Sequence, residues 1–129
     1  MQATDLYKCL TDVQRLRILN LLAEGPLCVC HIQELLGEAQ VKISKQLAYL
    51  KKRELVSAER SGTWMVYRLG ERPHALLRAN LEHLRSARCG ECEQLQHDLA
   101  ARRRLLEQIE SEPSCCPRPV SAHLQTARV

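Results

Sequence analysis

The stretch from Gln40 to Arg53, QVKISKQLAYLKKR, constrains the fold of this chain most strongly. At helical spacing its apolar side chains fall on one narrow arc, whereas Lys45 and Lys52 point the opposite way. The upstream segment CVCHIQELLG ends in a glycine that can adopt the left-handed conformation needed to stop a helix. A helix, a short turn and a second helix with a basic outer face form the layout of a helix-turn-helix, whose second helix enters the major groove of DNA. The apolar arc contains Ile43, Leu47 and Leu50.

The net charge of the chain is concentrated in this region. Between Gln40 and Arg60 six basic residues stand against two acidic ones, a local balance of +4 that equals the net charge of the whole chain. A run of charges alone is more often an ordinary solvated helix face. A basic excess confined to one helix and the segment after it, however, is typical of a surface that contacts phosphates.

The segment after this helix predicts a β-hairpin. The runs LVSAER and TWMVYRL show the alternation of half-buried strands, and Ser61 and Gly62 separate them. A hairpin directly after a recognition helix is a wing. Its tip, which carries Arg60 and Thr63, can contact the DNA backbone or the neighbouring minor groove.

Size and composition indicate a single small domain. A chain of 129 residues that is rich in Leu, with no Phe, predicts a mainly helical fold with an aliphatic core. We expect residues 1–112 to form this domain and residues 113–129, where Pro, Ser and Cys cluster, to form a flexible tail. No apolar run approaches the roughly 20 residues of a membrane span, and the N-terminus lacks the layout of a signal peptide. We therefore expect a cytoplasmic protein without a membrane partner.

The last helical region, which opens at Pro73, carries a long apolar stripe. So small a domain cannot cover all of it, and the stripe therefore predicts a seam between two copies of the chain. Gly90 interrupts the region and predicts a bend or break there. The stripe includes Leu77, Leu81, Leu84, Leu95, Leu99, Leu106 and Ile109, with Cys92 in register.

The seven cysteines comprise Cys9 and three close pairs. In a reducing compartment such pairs more often indicate soft-ion binding or redox chemistry than structural disulfides. Cys9 is expected to be a small buried hydrophobe. Cys28 and Cys30 fall in the opening turn of a helix predicted over Leu27–Leu36, where free amides favour thiolate. Residues two apart on an ideal helix point about 200° apart, so both can bind one ion only if that turn is distorted.

Three motifs together resemble a known family. They are LCVC at Leu27–Cys30, QVKISKQLAYL at Gln40–Leu50 and SGTWMVYRL at Ser61–Leu69. They resemble the ArsR/SmtB family of metal- and metalloid-responsive winged helix-turn-helix repressors, and most closely its arsenic-responsive branch. The resemblance runs from Leu6 to Leu69 and implies a mainly α fold with a small β-hairpin wing that dimerises through its first and last helices.

The resemblance also implies a function and the residues that perform it. A homodimer would bind operator double-stranded DNA in its own promoter and leave it when an inducer binds thiolates. Cys28 and Cys30 would begin the inducer site. The resemblance implies DNA contacts from Gln40, Lys42, Ser44, Lys45 and Gln46, to which the flank of the helix and the wing tip add Tyr49, Arg60 and Thr63.

The sequence departs from the arsenic-responsive pattern at two positions. Gln33 replaces a third cysteine three residues after the second, and His31 replaces the usual Asp. The acid and His ligands of the family's zinc site on the last helix have no clear match. An inorganic trivalent ion, which prefers three thiolates, therefore needs a third ligand from elsewhere, whereas a monosubstituted organoarsenical needs two.

Two sets of thiols can bind trivalent arsenic or antimony. The set that we favour on sequence grounds combines Cys89 and Cys92, one turn apart, with Cys115 or Cys116 from the tail. The second set combines Cys28 and Cys30 with a cysteine from the tail or from the partner subunit.

Other functions stay open at this point. A cadmium, lead or zinc sensor would use Cys28, Cys30 and His31. A redox-sensing repressor would use the C-x-x-C spacing of Cys89 and Cys92, although the βαβ context of dithiol oxidoreductases is missing. No Cys and His are placed with an orienting third group, so we expect neither an enzyme nor an organic cofactor.

Overall fold

The computed structural model describes residues 3–70, 74–86 and 90–111. The elements are α1 (Ala3–Leu10), α2 (Val13–Leu22), β1 (Leu27–Cys28), α3 (Val29–Leu36), α4 (Gln40–Lys52), β2 (Val56–Ser61), β3 (Trp64–Leu69), α5 (His74–Ser86) and α6 (Gly90–Ser111). The predicted fold class, mainly helical with a small wing, is confirmed.

Local capping sets the helix boundaries that position the DNA-binding unit. Asp12 precedes α2, and its carboxylate accepts hydrogen bonds from the amides of Gln14 and Arg15, which have no partner within the helix. At the other end of the motif, Gly37 ends α3 with φ +65°, a left-handed conformation that a glycine adopts without strain. This glycine begins the turn between α3 and α4, as the sequence predicted.

The predicted apolar arc of α4 faces the core. Ile43, Leu47 and Leu50 are fully buried, and they join a cluster that includes Ile32 of α3 and Ile18 of α2. Burying each such side chain contributes about 1.5–3 kcal/mol. This burial fixes which face of α4 remains in solvent.

The sheet has one strand more than the sequence predicted. β2 and β3 form the expected antiparallel hairpin around a turn at Gly62 and Thr63, and Ser61 belongs to β2 instead of the turn. β1 pairs antiparallel with the other edge of β3, so that Cys28 lies opposite Val66. The helix predicted from Leu27 therefore begins only at Val29, because pairing with β3 holds the two preceding residues extended.

The last helical region consists of two helices that pack together, and α6 also packs against α2. The apolar stripe was predicted to exceed what so small a domain can cover, but the chain itself covers much of its length. Leu95 and Ile109 are almost completely buried within the chain itself, as are Leu77 and Leu81 of α5. The helices fold back on the domain instead of extending away from it, so the stripe alone no longer indicates a dimer seam.

Candidate nucleic-acid interface and cysteine pair

The face of α4 opposite its buried arc is polar, basic and open to solvent. Lys42 is the only predicted contact on it with a described ion pair, a 3.6 Å approach of its Nζ to the Glu38 carboxylate, and its side chain is still 69% exposed. Such an exposed pair contributes little and yields readily to a phosphate. A 13-residue helix is about 20 Å long, a suitable size for the major groove. The predicted contacts that are exposed on α4 are Gln40, Lys42, Ser44 and Lys45.

Two other predicted contacts on α4 lie on its flank, half-buried against α2. The side-chain amide of Gln46 hydrogen-bonds to Asp12, Gln14 and Arg15. The ring of Tyr49 contacts the guanidinium of Arg15, whose Cζ atom lies 4.1 Å from the ring centroid. No local pattern in the sequence marks Arg15, because Gln46 and Tyr49 are more than thirty positions away from it in the chain.

The wing presents its predicted contacts at its tip. Arg60 and Thr63 are both exposed beside the turn at Gly62. Lower on the hairpin, Arg68 forms a 2.9 Å ion pair with Glu59 across the two strands. The tip therefore has a cation and a hydroxyl donor available for phosphate oxygens.

Cys28 and Cys30 come together despite the helical spacing expected of them. Cys28 is the extended residue before α3, with ψ 148°, and only Cys30 lies in the helix. Their Sγ atoms are 3.2 Å apart. Thiolate–metal bonds are about 2.3 Å long, so two sulfurs on one soft ion lie roughly 3–4 Å apart. The distortion that the sequence analysis required is thus supplied by the pairing of β1 with β3.

The two sulfurs differ in their surroundings. Cys28 is completely buried beside Val66. Cys30 is partly exposed. Within the described ranges, no group of three or more Cys, His, Asp or Glu side chains is placed to hold a metal ion.

His31 follows this pair and points into the core. It is 2% exposed, and neither ring nitrogen has a hydrogen-bond partner among the described residues. Burial lowers the pKa of His31 from its ordinary value of 6.5, because a charged imidazolium loses its hydration there. The imidazole is therefore neutral at physiological pH.

The set of cysteines favoured on sequence grounds is described only at Cys92. This residue is buried, and its Sγ donates a 2.8 Å hydrogen bond to the carbonyl oxygen of Arg85 near the end of α5. Cys89, Cys115 and Cys116 lie outside the described residues. Cys9 is fully buried, as predicted, and desolvation raises the pKa of its thiol.

The architecture and this exposed basic helix define the class of the protein as a winged helix-turn-helix DNA-binding domain. Residues 12–58 match the family model described as the bacterial regulatory protein, arsR family. The arsenic resistance transcriptional regulator ArsR2 of Pseudomonas putida is 39% identical over 83 residues, which cover 60% of this chain and 72% of that protein. The chain belongs to the ArsR family, whose members are DNA-binding transcriptional regulators and not enzymes.

Further relatives agree with this assignment. ArsR1 of Pseudomonas putida, also an arsenic resistance transcriptional regulator, is 43% identical over 65 residues, and the match spans 50% of this chain and about half, 51%, of that protein. The antimony-specific transcriptional repressor AntR is similar in structure, with a TM-score of 0.53 and 33% identity over 60% of this chain and 68% of that one. A homodimeric winged helix-turn-helix domain from Mycobacterium bovis gives a TM-score of 0.56 at 34% identity, over 67% of this chain and 84% of that one.

None of the helices in the described ranges combines the length and apolar character needed to cross a membrane.

Proposed function

We propose that the chain is a homodimeric transcriptional repressor that binds operator DNA and is released when trivalent arsenic or antimony binds its cysteine thiolates. Residues 1–112 act as the DNA-binding and dimerisation domain, and residues 113–129 as a tail that carries two further thiols. The protein works in the cytoplasm, where its thiols stay reduced. Relatives named for arsenic resistance and a structural neighbour named for antimony support this choice of inducer.

The observation that carries the proposal is the 3.2 Å approach of the Cys28 and Cys30 sulfurs. Two thiolates at this separation match the first two ligands of a trivalent metalloid, and they suffice for a monosubstituted organoarsenical. For the inorganic ion the third thiolate comes from a cysteine outside the described residues or from the partner subunit. The geometry therefore favours Cys28 and Cys30 as the inducer site. Cys89, Cys92, Cys115 and Cys116 form the alternative set.

The cysteine pair lies at a junction between the wing and the helix-turn-helix, so an inducer bound there can move the DNA-binding elements. Cys28 belongs to β1, which pairs with wing strand β3, and Cys30 lies in the first turn of α3, the helix that leads into α4. An ion that draws the sulfurs toward a third ligand moves the start of α3 relative to the wing. A dimer must match two half-sites about 34–36 Å apart, so a small shift lowers operator affinity. Coupling of this kind is typically about 1–3 kcal/mol, or roughly 5- to 150-fold.

The test measures fluorescence anisotropy of labelled duplexes from the upstream region, with reduced protein and added arsenite or antimonite. We expect wild type to bind one duplex and to be released by the metalloid. Cys28→Ser with Cys30→Ser should bind the same duplex without being released. Cys9→Ala, which alters a buried cysteine far along the chain from this pair, is the matched control and should respond as wild type does.

Two results would contradict parts of the proposal. Normal release of the double variant would exclude Cys28 and Cys30 and would direct the test to Cys89→Ser with Cys92→Ser. Failure of the reduced wild type to bind any upstream duplex would refute the repressor function itself.

A redox-sensing repressor is the second candidate function, and the same 3.2 Å approach of the Cys28 and Cys30 sulfurs favours it. Oxidation of a thiol at the same junction would move the same elements. Peroxide added without metalloid separates the two candidates, because only a redox sensor leaves its operator under that treatment.

A further inference from the structure

We propose that Arg15 is a positioning residue that holds α4 in its orientation against α1 and α2, and that Gln46 and Tyr49 serve this link instead of contacting bases. The inference rests on the DNA-binding function proposed above. It concerns which residues of α4 face DNA and which ones orient the helix.

Arg15 connects three helices through one side chain. Its Nη2 and Nε atoms donate to the carbonyl oxygens of Lys8 and Cys9, each at 3.2 Å, at the end of α1. These carbonyls lack partners within the helix and carry the negative end of its dipole, so a guanidinium is a suitable partner for them. Its Nη1 donates to Gln46 Oε1 at 3.4 Å, and the side chain is only 15% exposed. Arg15 therefore belongs to the interior of the domain more than to its DNA-facing surface.

The aromatic ring of Tyr49 contacts the guanidinium group of Arg15 and helps to hold it in place. The guanidinium carbons of Arg15 and Arg53 lie 4.1 Å and 3.5 Å from the ring centroid. Arg53 also donates from Nη1 to the carbonyl oxygen of Tyr49 at 3.3 Å. A planar guanidinium on an aromatic face is held in direction as well as distance, which an ammonium group would not reproduce.

Both donor hydrogens of the Gln46 side-chain amide are used within the domain. Its Nε2 donates to Asp12 Oδ1 at 3.3 Å and Gln14 Oε1 at 3.4 Å, and its Oε1 accepts from Arg15. The bidentate pairing of a glutamine with adenine needs both the donor and the acceptor of the amide. Reading an adenine would therefore require Gln46 to give up at least one of its two internal donor bonds.

These contacts all lie on one flank of α4 and determine its rotation about its own axis. The buried arc determines which face of α4 points inward. The contacts of Gln46 and Tyr49 connect the flank of α4 to α2 and, through Arg15, to α1. Gln40, Ser44 and Lys45 are then directed outward together. Loss of the link should misalign every outward side chain at once, so operator affinity should fall without the loss of any single phosphate contact.

The test compares conservative and disruptive variants by operator affinity across a salt series. Arg15→Lys keeps the charge but loses the forked guanidinium donors and the planar stacking on Tyr49. Both Arg15→Lys and Arg15→Ala should weaken binding about tenfold and leave its salt dependence unchanged. Tyr49→Ala should weaken binding similarly, and Tyr49→Phe, which keeps the ring, should restore wild-type affinity. Gln46→Ala should weaken binding equally on the operator and on its single-base variants. Arg78→Lys, at an exposed arginine of α5, is the matched control.

Three results would overturn the proposal. Wild-type affinity in Arg15→Lys would show that charge alone matters. A salt dependence lowered by about one unit in Arg15→Ala would show a direct phosphate contact. Equal losses in Tyr49→Phe and Tyr49→Ala would assign the role to the hydroxyl group.

A measurement on the free protein separates this inference from the proposed function. Amide hydrogen exchange in α4 should become faster in Arg15→Lys and Tyr49→Ala than in wild type and Tyr49→Phe, because the link holds the helix without DNA. If exchange is faster in these two variants but the wild type binds no duplex, the DNA-binding function is refuted and the link is retained. If exchange in Arg15→Lys and Tyr49→Ala equals that of the wild type, and the wild type binds its duplex, the link alone is refuted.

Discussion

The Arg17–Asp98 ion pair is the polar contact whose removal should destabilise this protein most. Arg17 of α2 donates from Nε and Nη2 to the two carboxylate oxygens of Asp98 in α6, at 2.7 and 3.0 Å. The side chain of Asp98 is 2% exposed and that of Arg17 is 19% exposed. The Gln94 amide adds a third hydrogen bond, at 2.9 Å, to the same carboxylate. This cluster joins the DNA-binding half of the domain to its last helix.

Replacing Asp98 with Ala should cost about 3 kcal/mol of unfolding free energy. Removing one partner of a buried pair typically costs about 3–5 kcal/mol, because the other charge stays desolvated. The exposed fifth of Arg17 admits some solvent, which places the estimate at the lower end of that range. With an m-value near 2 kcal/mol/M, the urea midpoint should fall by about 1.5 M. The corresponding loss in melting temperature is roughly 10 °C for a domain of this size.

The measurement is urea unfolding followed by circular dichroism at one fixed protein concentration, since the proposed dimerisation would couple stability to concentration. Glu59→Ala is the matched control, because it breaks an Arg–carboxylate pair of similar length, 2.9 Å, between side chains that are 29% and 56% exposed. Exposed pairs contribute at most about 1 kcal/mol. Arg17→Met combined with Asp98→Leu removes both charges and should recover most of the stability.

The reasoning would be refuted if Asp98→Ala cost no more than Glu59→Ala. It would also fail if the double replacement were as unstable as Asp98→Ala alone. In either case the loss would not arise from an uncompensated buried charge.

Three further predictions concern single positions. Lys45→Ala should weaken operator binding and lower the slope of log affinity against log salt by about 1, which a salt series measures directly; an unchanged slope would contradict the outward orientation of α4. Because burial lowers the pKa of His31 in the folded chain, this imidazole is protonated at a higher pH in the unfolded chain than in the folded one. The free energy of unfolding should therefore decline as the pH falls below 6.5. Unfolding curves at pH 7 and pH 5 should show a smaller decline in His31→Leu than in the wild type. Gly70→Ala should cost about 2 kcal/mol, because the added Cβ would clash with the Glu54 carbonyl oxygen at the base of the wing; thermal unfolding would test this, and wild-type stability would show that the backbone there adjusts freely.

Much of the architecture was predictable because it rests on local patterns. The period of the apolar residues in α4 predicted its buried arc, and Gly37 predicted the turn after α3. Each of these signals depends on residues within a few positions of one another. The short strand β1 left no such signal, because its two residues are extended only through pairing with β3, almost forty residues later.

The candidate site was predictable in its residue types but not in its arrangement. Cys28 and Cys30 were candidates from their clustering, yet helical spacing placed their sulfurs on opposite sides, and only the extended conformation of Cys28 brings them within 3.2 Å. Likewise, the family resemblance implied a DNA contact for Gln46, and helical spacing placed Tyr49 on the flank of the basic face. Their hydrogen bonds and ring contacts with α2 depend on how the helices pack.

The amino-acid sequence alone therefore determined the helices, the hairpin, the basic outer face of α4 and the supply of thiols, because periodicity, capping and charge are encoded within short stretches. Tertiary structure decided which thiols meet, which side chains of α4 remain free for DNA and which apolar residues of the last helices are covered. Those outcomes depend on contacts between segments that are far apart in the chain, and their partners exist only after the helices have packed.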